Sequence, residues 1–165
     1  MNSLCILEVP RRRERSFALR AKRLLPDLVL RCIFPRAERL RRRQGAWLVA
    51  ESPLFPGYVL AETRDAEALE RALKANGAFG VRFVGTLSQE ERTLLESIME
   101  PEGLVRLSRG RIENERLLVQ AGPLSGLEGN VLYIDRHKRT ALVAPQGMRE
   151  KSKSVLVGLE VESKN

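Results

Sequence analysis

The chain is poor in the residues that build most catalytic and metal centres. Its 165 residues include two cysteines and one histidine. Cys5 and Cys32 are too few for a disulfide framework, and both lie in apolar, strand-like runs, so they read as reduced core thiols. A structural zinc site needs a cluster of cysteine and histidine ligands, and His137 stands alone in the solvated run "DRHKR". Paired carboxylates in a motif context and a phosphate-cradling glycine loop are also lacking. No cofactor is therefore expected, nor enzymatic chemistry. No stretch approaches the ~18–20 apolar residues of a membrane span. The apolar start "MNSLCILEVP" precedes the arginines, the reverse of a secretory signal, so a cytoplasmic protein with no membrane partner is expected. Aromatic residues number only eight, which makes the position of each informative.

Positive charge is what the chain has in excess. The net charge is +8 and the isoelectric point is near 10.2, values that point to a polyanionic partner. Residues 1–50 carry +9, residues 51–100 carry −4 and residues 101–165 carry +3. Arginine outnumbers lysine 23 to 6, which favours bidentate phosphate or base contacts over diffuse attraction.

Periodicity gives the order β-α-β-β-α-β-α followed by short strands. "SLCILEV" (3–9) reads as a strand, and 11–25 as a helix with Phe17, Ala21, Leu24 and Leu25 on one face. Arg11, Arg12 and Arg13 crowd its start, where the macrodipole favours anions; local stability does not ask for them, so a partner is the reason to consider. "DLVLRCIF" (27–34) is a second strand and "AERLRRRQG" (37–45) a basic loop or turn. Asp65 caps a helix reaching Lys74, 78–85 is a strand, and Ser88 with Glu91 makes a capping box for a helix closed by Pro101. Residues 102–114, charged and aperiodic, read as a linker. Beyond them, 116–122, 129–136, 139–145 and 154–161 are short strands between Gly- and Pro-rich turns, the pattern of a small barrel. The fold class is α+β: an antiparallel sheet with packed helices over 1–101, a linker over 102–114, and a five-stranded β-barrel over 115–165.

Within this order "PLFPGYVLAE" (53–62) stands out as a strand broken at its start by Pro56 and Gly57, because proline cannot donate to a ladder. "LFPGYVLAE", the helix opened by "DAEAL", then "GVRFVG" and "LSQEE" resemble the N-terminal (NGN) domain of the NusG family of transcription elongation factors. "VQAGPLSGLEGNVLYIDRHKRTALV" (119–143) resembles the KOW motif of the same family. In it Gly122, Gly126 and Gly129 permit tight turns and close backbone passage, Val131, Ile134, Leu142 and Val143 fill a core, and "DRHKR" forms a hairpin tip. "GPLSGLEG", "IDRHKR" and the closing "VGLEV" are most similar to the LoaP group of specialised paralogues.

The resemblance implies a monomeric, non-enzymatic antitermination factor with two binding functions. The N-terminal domain is expected to bind the clamp helices of RNA polymerase through Phe55, Pro56, Tyr58 and Leu60, with Phe79 and Phe83 as neighbours. Nascent RNA, as a hairpin, is expected at Arg136, His137, Lys138 and Arg139, joined by Arg149, Lys151 and Lys153 from the loop 145–154. Arg11, Arg12, Arg13 and Arg15, together with Arg41, Arg42 and Arg43, form a second nucleic-acid surface, toward the non-template DNA strand or the same RNA. The loop 145–154 has no aromatic residue. This weakens one alternative, a housekeeping NusG that couples polymerase to a ribosomal protein or to Rho. Another, a structural KOW protein of ribosomal RNA, leaves the aromatic strand of the N-terminal domain unexplained. No metal is expected.

Overall fold

The computed structural model describes residues 2–149 and 154–165. In chain order the elements are β1 (Ser3–Glu8), α1 (Glu14–Leu24), β2 (Arg31–Ile33), β3 (Arg36–Arg43), β4 (Ala46–Pro53) and β5 (Tyr58–Thr63). There follow α2 (Ala66–Ala75), β6 (Arg82–Thr86), α3 (Gln89–Ile98), β7 (Leu104–Val105), β8 (Ser108–Glu113) and β9 (Arg116–Ala121). The chain ends with β10 (Val131–Asp135), β11 (Thr140–Val143) and β12 (Val155–Lys164). It is an α+β protein with mostly antiparallel sheets. It divides into two compact units, Met1–Pro35 with Phe55–Arg92, and Arg36–Leu54 with Thr93–Asn165. The units cut across the expected boundary at 102–114, because the β3–β4 segment groups with the C-terminal half.

In the first unit the sheet order is β2-β5-β1-β6. The period of two in "SLCILE" and "YVLAET" sends Cys5, Leu7, Val59 and Ala61 to one face, where Phe17 and Ala21 of α1 and Leu69 and Leu73 of α2 close a core. Cys5 and Cys32 both pair with Ala61, one from each side of β5, so a whole strand separates them. Burial pushes their thiols up, to about 11 and about 12, which keeps both protonated and unreactive. Helix α1 begins at Glu14, an acid in the first turn that suits the macrodipole. Asp65 caps α2 by accepting from the Ala68 N–H at 3.0 Å. Ser88 and Glu91 form the reciprocal capping box, at 3.2 and 3.0 Å.

Glu62 on β5 joins three elements. Its carboxylate accepts from Arg31 of β2 at 3.2 Å and from Arg92 of α3 at 2.6 Å, with the Glu62 side chain 15% exposed. Burial acts to raise its pKa, but the bonds and charges of Arg92 and Arg31 outweigh it and hold the carboxyl below its usual range. A carboxylate depressed in the folded state stabilises above its unfolded pKa, and that contribution disappears as pH falls through the folded one. Urea unfolding of the Glu62→Gln chain is therefore expected to give about 1 kcal/mol less stability than wild type at pH 7, with the gap closing in acid. Parallel pH profiles for the two chains would refute this role.

The second unit holds two sheets. Strands β3 and β4 pair over their full length around Gln44–Gly45, whose φ values of 51° and 81° make a two-residue turn of the primed type. The basic loop expected at 37–45 is thus a strand. Cross-strand contacts explain it: Arg36 reaches Glu51 at 2.6 Å and Arg39 reaches Ser52 at 2.9 Å. The other edge of β3 pairs in parallel with β7. The expected linker 102–114 is likewise structured, since it contains β7 and β8, with Leu104, Val105 and Ser108 buried.

The larger sheet has the order β10-β11-β12-β8-β9, with β8 parallel to β12. Among the described residues no pairing joins β9 to β10, so the sheet is open and the expected closed barrel is not formed. Near this seam the Val119 N–H of β9 donates to the Glu128 side chain at 3.1 Å. The core of this sheet is Leu124, Ala141, Val143, Val155, Val157 and Leu159. Of the four expected core residues only Val143 is fully buried; Val131, Ile134 and Leu142 are half-buried. Gly122 has φ +103°, and a Cβ there would stand 2.5 Å from Ser108 Cα, so both conformation and space require glycine. Gly126 has positive φ in open space, and Gly129 meets neither condition.

Candidate functional site

Pro56 and Gly57 do not interrupt a strand. They are the centre of a β-turn between β4 and β5, closed by the Tyr58 N–H donating to the Phe55 carbonyl at 3.0 Å. Proline precedes a glycine with φ +87°, the residue order of a type II turn. The turn is anchored from below. The Gly57 N–H donates to Glu14 at 3.1 Å, and the Val9 N–H donates to the Gly57 carbonyl at 2.8 Å. Glu14 is only 4% exposed, so a buried carboxylate at the start of α1 fixes the loop.

This turn leaves Pro56 exposed and Phe55 and Tyr58 half-exposed. The Tyr58 hydroxyl donates to Glu8 at 3.2 Å, and Arg82 donates to the other Glu8 oxygen at 3.0 Å. The Arg82 bond and charge, with a smaller contribution from Tyr58, hold Glu8 below its usual pKa. Tyr58 is therefore pinned by a charged pair on the sheet face that points away from the α1–α2 core.

The six residues expected to make one polymerase patch do not share a face. Leu60 is 2% exposed, on an interior strand between Ile6 and Ile33, so it supports the sheet and is not presented. Phe79, in a short 3-10 turn, and Phe83 pack against the core on the α1–α2 side, because Phe83 shares the register of Leu7. On that side a groove of about 360 Å³ runs between α1 and Phe79, edged by Arg13 and Arg20 and floored by Phe17 and Val81. Arg20 is a residue the sequence pattern did not single out. Its signal was the alternation of arginine and apolar residues along α1.

The basic residues separate into free and engaged groups. Arg11, Arg12 and Arg13 are exposed on the loop before α1, and Arg15 lies over the Phe34 ring at 5.4 Å. In the second unit Arg41, Arg42 and Arg43 are all exposed at the end of β3. Arg39 beside them is instead built into the fold, donating to the Leu156 carbonyl at 2.5 Å, and burial with the nearby Arg41 charge lowers its pKa.

At the β10–β11 connection Arg136, His137 and Lys138 are exposed, and Asp135 accepts from the Lys138 N–H at 2.9 Å to close the turn. Arg139, expected as a fourth RNA contact, has a different role. It donates to Glu160 at 3.2 Å and stacks on Trp47 with its guanidinium 4.0 Å from the ring centroid. Its backbone is in the left-handed region, with φ +57°. Arg149 is exposed at the rim of a groove of about 370 Å³ that also includes Asn130, Leu132 and Met148. Lys151 and Lys153 lie outside the described residues.

This unit also has an apolar surface that the hydrophobic pattern did not mark. Tyr133, Leu142 and Leu156 are register neighbours across β10, β11 and β12, and Tyr133 and Leu156 are 60% and 42% exposed. No protein-family model matches the chain, and no curated protein matches it.

Proposed function

We propose that this chain is a NusG-type transcription elongation factor acting as a LoaP-like processive antiterminator. It contacts the clamp helices of RNA polymerase through the first unit and a nascent RNA hairpin through the second. The observation that carries the reading is the β10–β11 tip: three consecutive residues, Arg136, His137 and Lys138, face solvent on a turn fixed by Asp135. Such a tip suits phosphate contacts and shape recognition of folded RNA. The Phe55–Tyr58 turn supports the polymerase contact, because it holds an exposed proline and two half-exposed aromatics on a rigid base, and aromatic anchors are typical of interfaces. The mechanism is mechanical. A factor that binds the closed clamp better than the open one shifts the polymerase away from paused states, and RNA capture raises its local concentration.

The test is a gel shift of the full chain with a hairpin and with a single strand of equal length, across salt. The hairpin is expected to bind at least about tenfold tighter, and equal affinity for both RNAs would overturn the RNA reading. Tyr58→Ala is expected to weaken polymerase binding about tenfold while sparing RNA affinity. A second reading, a housekeeping factor that couples polymerase to a ribosomal protein or to Rho, is favoured by the Tyr133–Leu142–Leu156 row, since exposed apolar patches of this kind mark protein contacts.

A further inference from the structure

We infer that the β3–β4 hairpin and the β10–β11 hairpin present one continuous RNA-binding surface, with Trp47 as the joint between them. The sequence separates these segments widely, and they look like two unrelated basic clusters. Within the second unit Trp47 connects them. Its register partner across β3–β4 is Arg42, and side chains directly opposite in an antiparallel pair lie on one face, roughly 5 Å apart. Its ring also carries the Arg139 guanidinium at 4.0 Å, and Arg139 directly follows the tip residues Arg136, His137 and Lys138.

Independent contacts hold the two hairpins in this relation. Arg39 of β3 donates to the Leu156 carbonyl, and β3 crosses directly over Gly158, whose missing side chain lets the Glu38 carbonyl and the Arg39 Cα approach. On the other side, the Leu159 N–H donates to the Arg139 carbonyl at 2.9 Å. Glu160 neutralises Arg139, which therefore acts as a positioning residue. Arg42 shares the face of Trp47, Arg41 and Arg43 flank it from the other face of the hairpin end, and all three are exposed, as are Arg136, His137 and Lys138. Two exposed cationic tips tied to one joint suit the phosphates of a base-paired stem, whose positions are fixed, and guanidinium forks suit phosphate oxygens. A single strand, which bends freely, gains less from a fixed pair of tips.

This inference rests on the RNA reading above, and its test separates the two. Two surface variants of the full chain are needed, Arg41→Gln/Arg42→Gln/Arg43→Gln and Arg136→Gln/Lys138→Gln. All five positions are exposed, so circular dichroism and the melting temperature should match wild type. Each variant is expected to weaken binding of the same RNA hairpin by at least about tenfold at about 0.15 M salt. Each should also make the slope of log affinity against log salt shallower, by about one for every phosphate left without its cation. RNA at saturation is also expected to change the emission of Trp47, the single tryptophan. If only the second variant weakens binding, the joint surface is overturned while the RNA reading of the tip survives. If neither does, both fall. Displacement of the hairpin by polyglutamate at equal charge would mean that the surface takes acidic protein segments, which also overturns the inference.

Discussion

A chain carrying Gly158→Ala should lose more than about 3 kcal/mol of stability, an effect larger than most single methyl additions produce. The reason is steric. A Cβ at this position would run into the Glu38 carbonyl oxygen, stand 2.8 Å from Leu107 Cδ1 and 3.3 Å from Arg39 Cα. Two of these three obstacles are backbone, and they belong to β3 where it crosses β12. Relief would require moving a strand that is tied by Arg36 to Glu51 and by Arg39 to Ser52 and the Leu156 carbonyl. The neighbouring strands restrict β12 as well, since it pairs with β11 on one edge and β8 on the other. Gly129→Ala is the control, because its added Cβ meets nothing and its φ is not positive; a change within about 0.5 kcal/mol is expected. Urea unfolding followed by Trp47 fluorescence reports on the affected unit directly. Equal midpoints for the two variants would refute the close crossing. Because natural domains are stable by only about 5–15 kcal/mol, a loss of this size should also be visible as poor soluble yield.

Features with local causes were legible in the sequence. Strand β1, helix α2, the Asp65 cap and the Ser88–Glu91 capping box each depend on residues within one or two turns of one another, and they form as read; helix α1 forms too, but it starts at Glu14, so the arginines expected in its first turn precede it. What failed was non-local. "AERLRRR" has the charge of a loop, and it becomes β3 only because Glu51, Ser52 and β7 wait across the chain. "SRGRIE" is β8 because β12 and β9 flank it, with Ser108 and Gly110 turned inward. The site divides in the same way. The Pro56–Gly57 turn follows from two residues whose backbone preferences match it. Which face a side chain takes depends on register, and this separates Tyr58 from Phe83 and buries Leu60. Arg139 has the sequence position of another tip cation, and only its approach to Trp47 and Glu160 makes it a structural residue.

The fragment 115–165, cut where the sequence suggests an independent barrel, is expected to be unfolded. Sheet order decides this. β8 lies between β12 and β9 and bonds to both, so its removal leaves β9 with no strand partner and strips one edge of β12. The β8–β9 turn, Asn114–Glu115, is severed as well; both residues have positive φ, 49° and 64°, as a two-residue hairpin turn requires. Two internal supports go with it. Ser108, fully buried, accepts from the Leu124 N–H at 3.0 Å, and Gly122 packs against the Ser108 backbone. Leu124, Leu159 and Val157, each about 1% exposed or less in the intact chain, lose cover in a fragment of roughly 50 residues that has little surface to bury from the outset. The shortened fragment should give a poorly dispersed amide spectrum and no cooperative urea transition. Restoring β8 in 102–165 should recover dispersion only in part, because β3, which crosses Gly158 and holds the Leu156 carbonyl through Arg39, is still missing. The full chain should unfold cooperatively in this unit. A well-dispersed spectrum from 115–165 would show that β10, β11 and β12 are self-sufficient, and would make β8 an accessory strand.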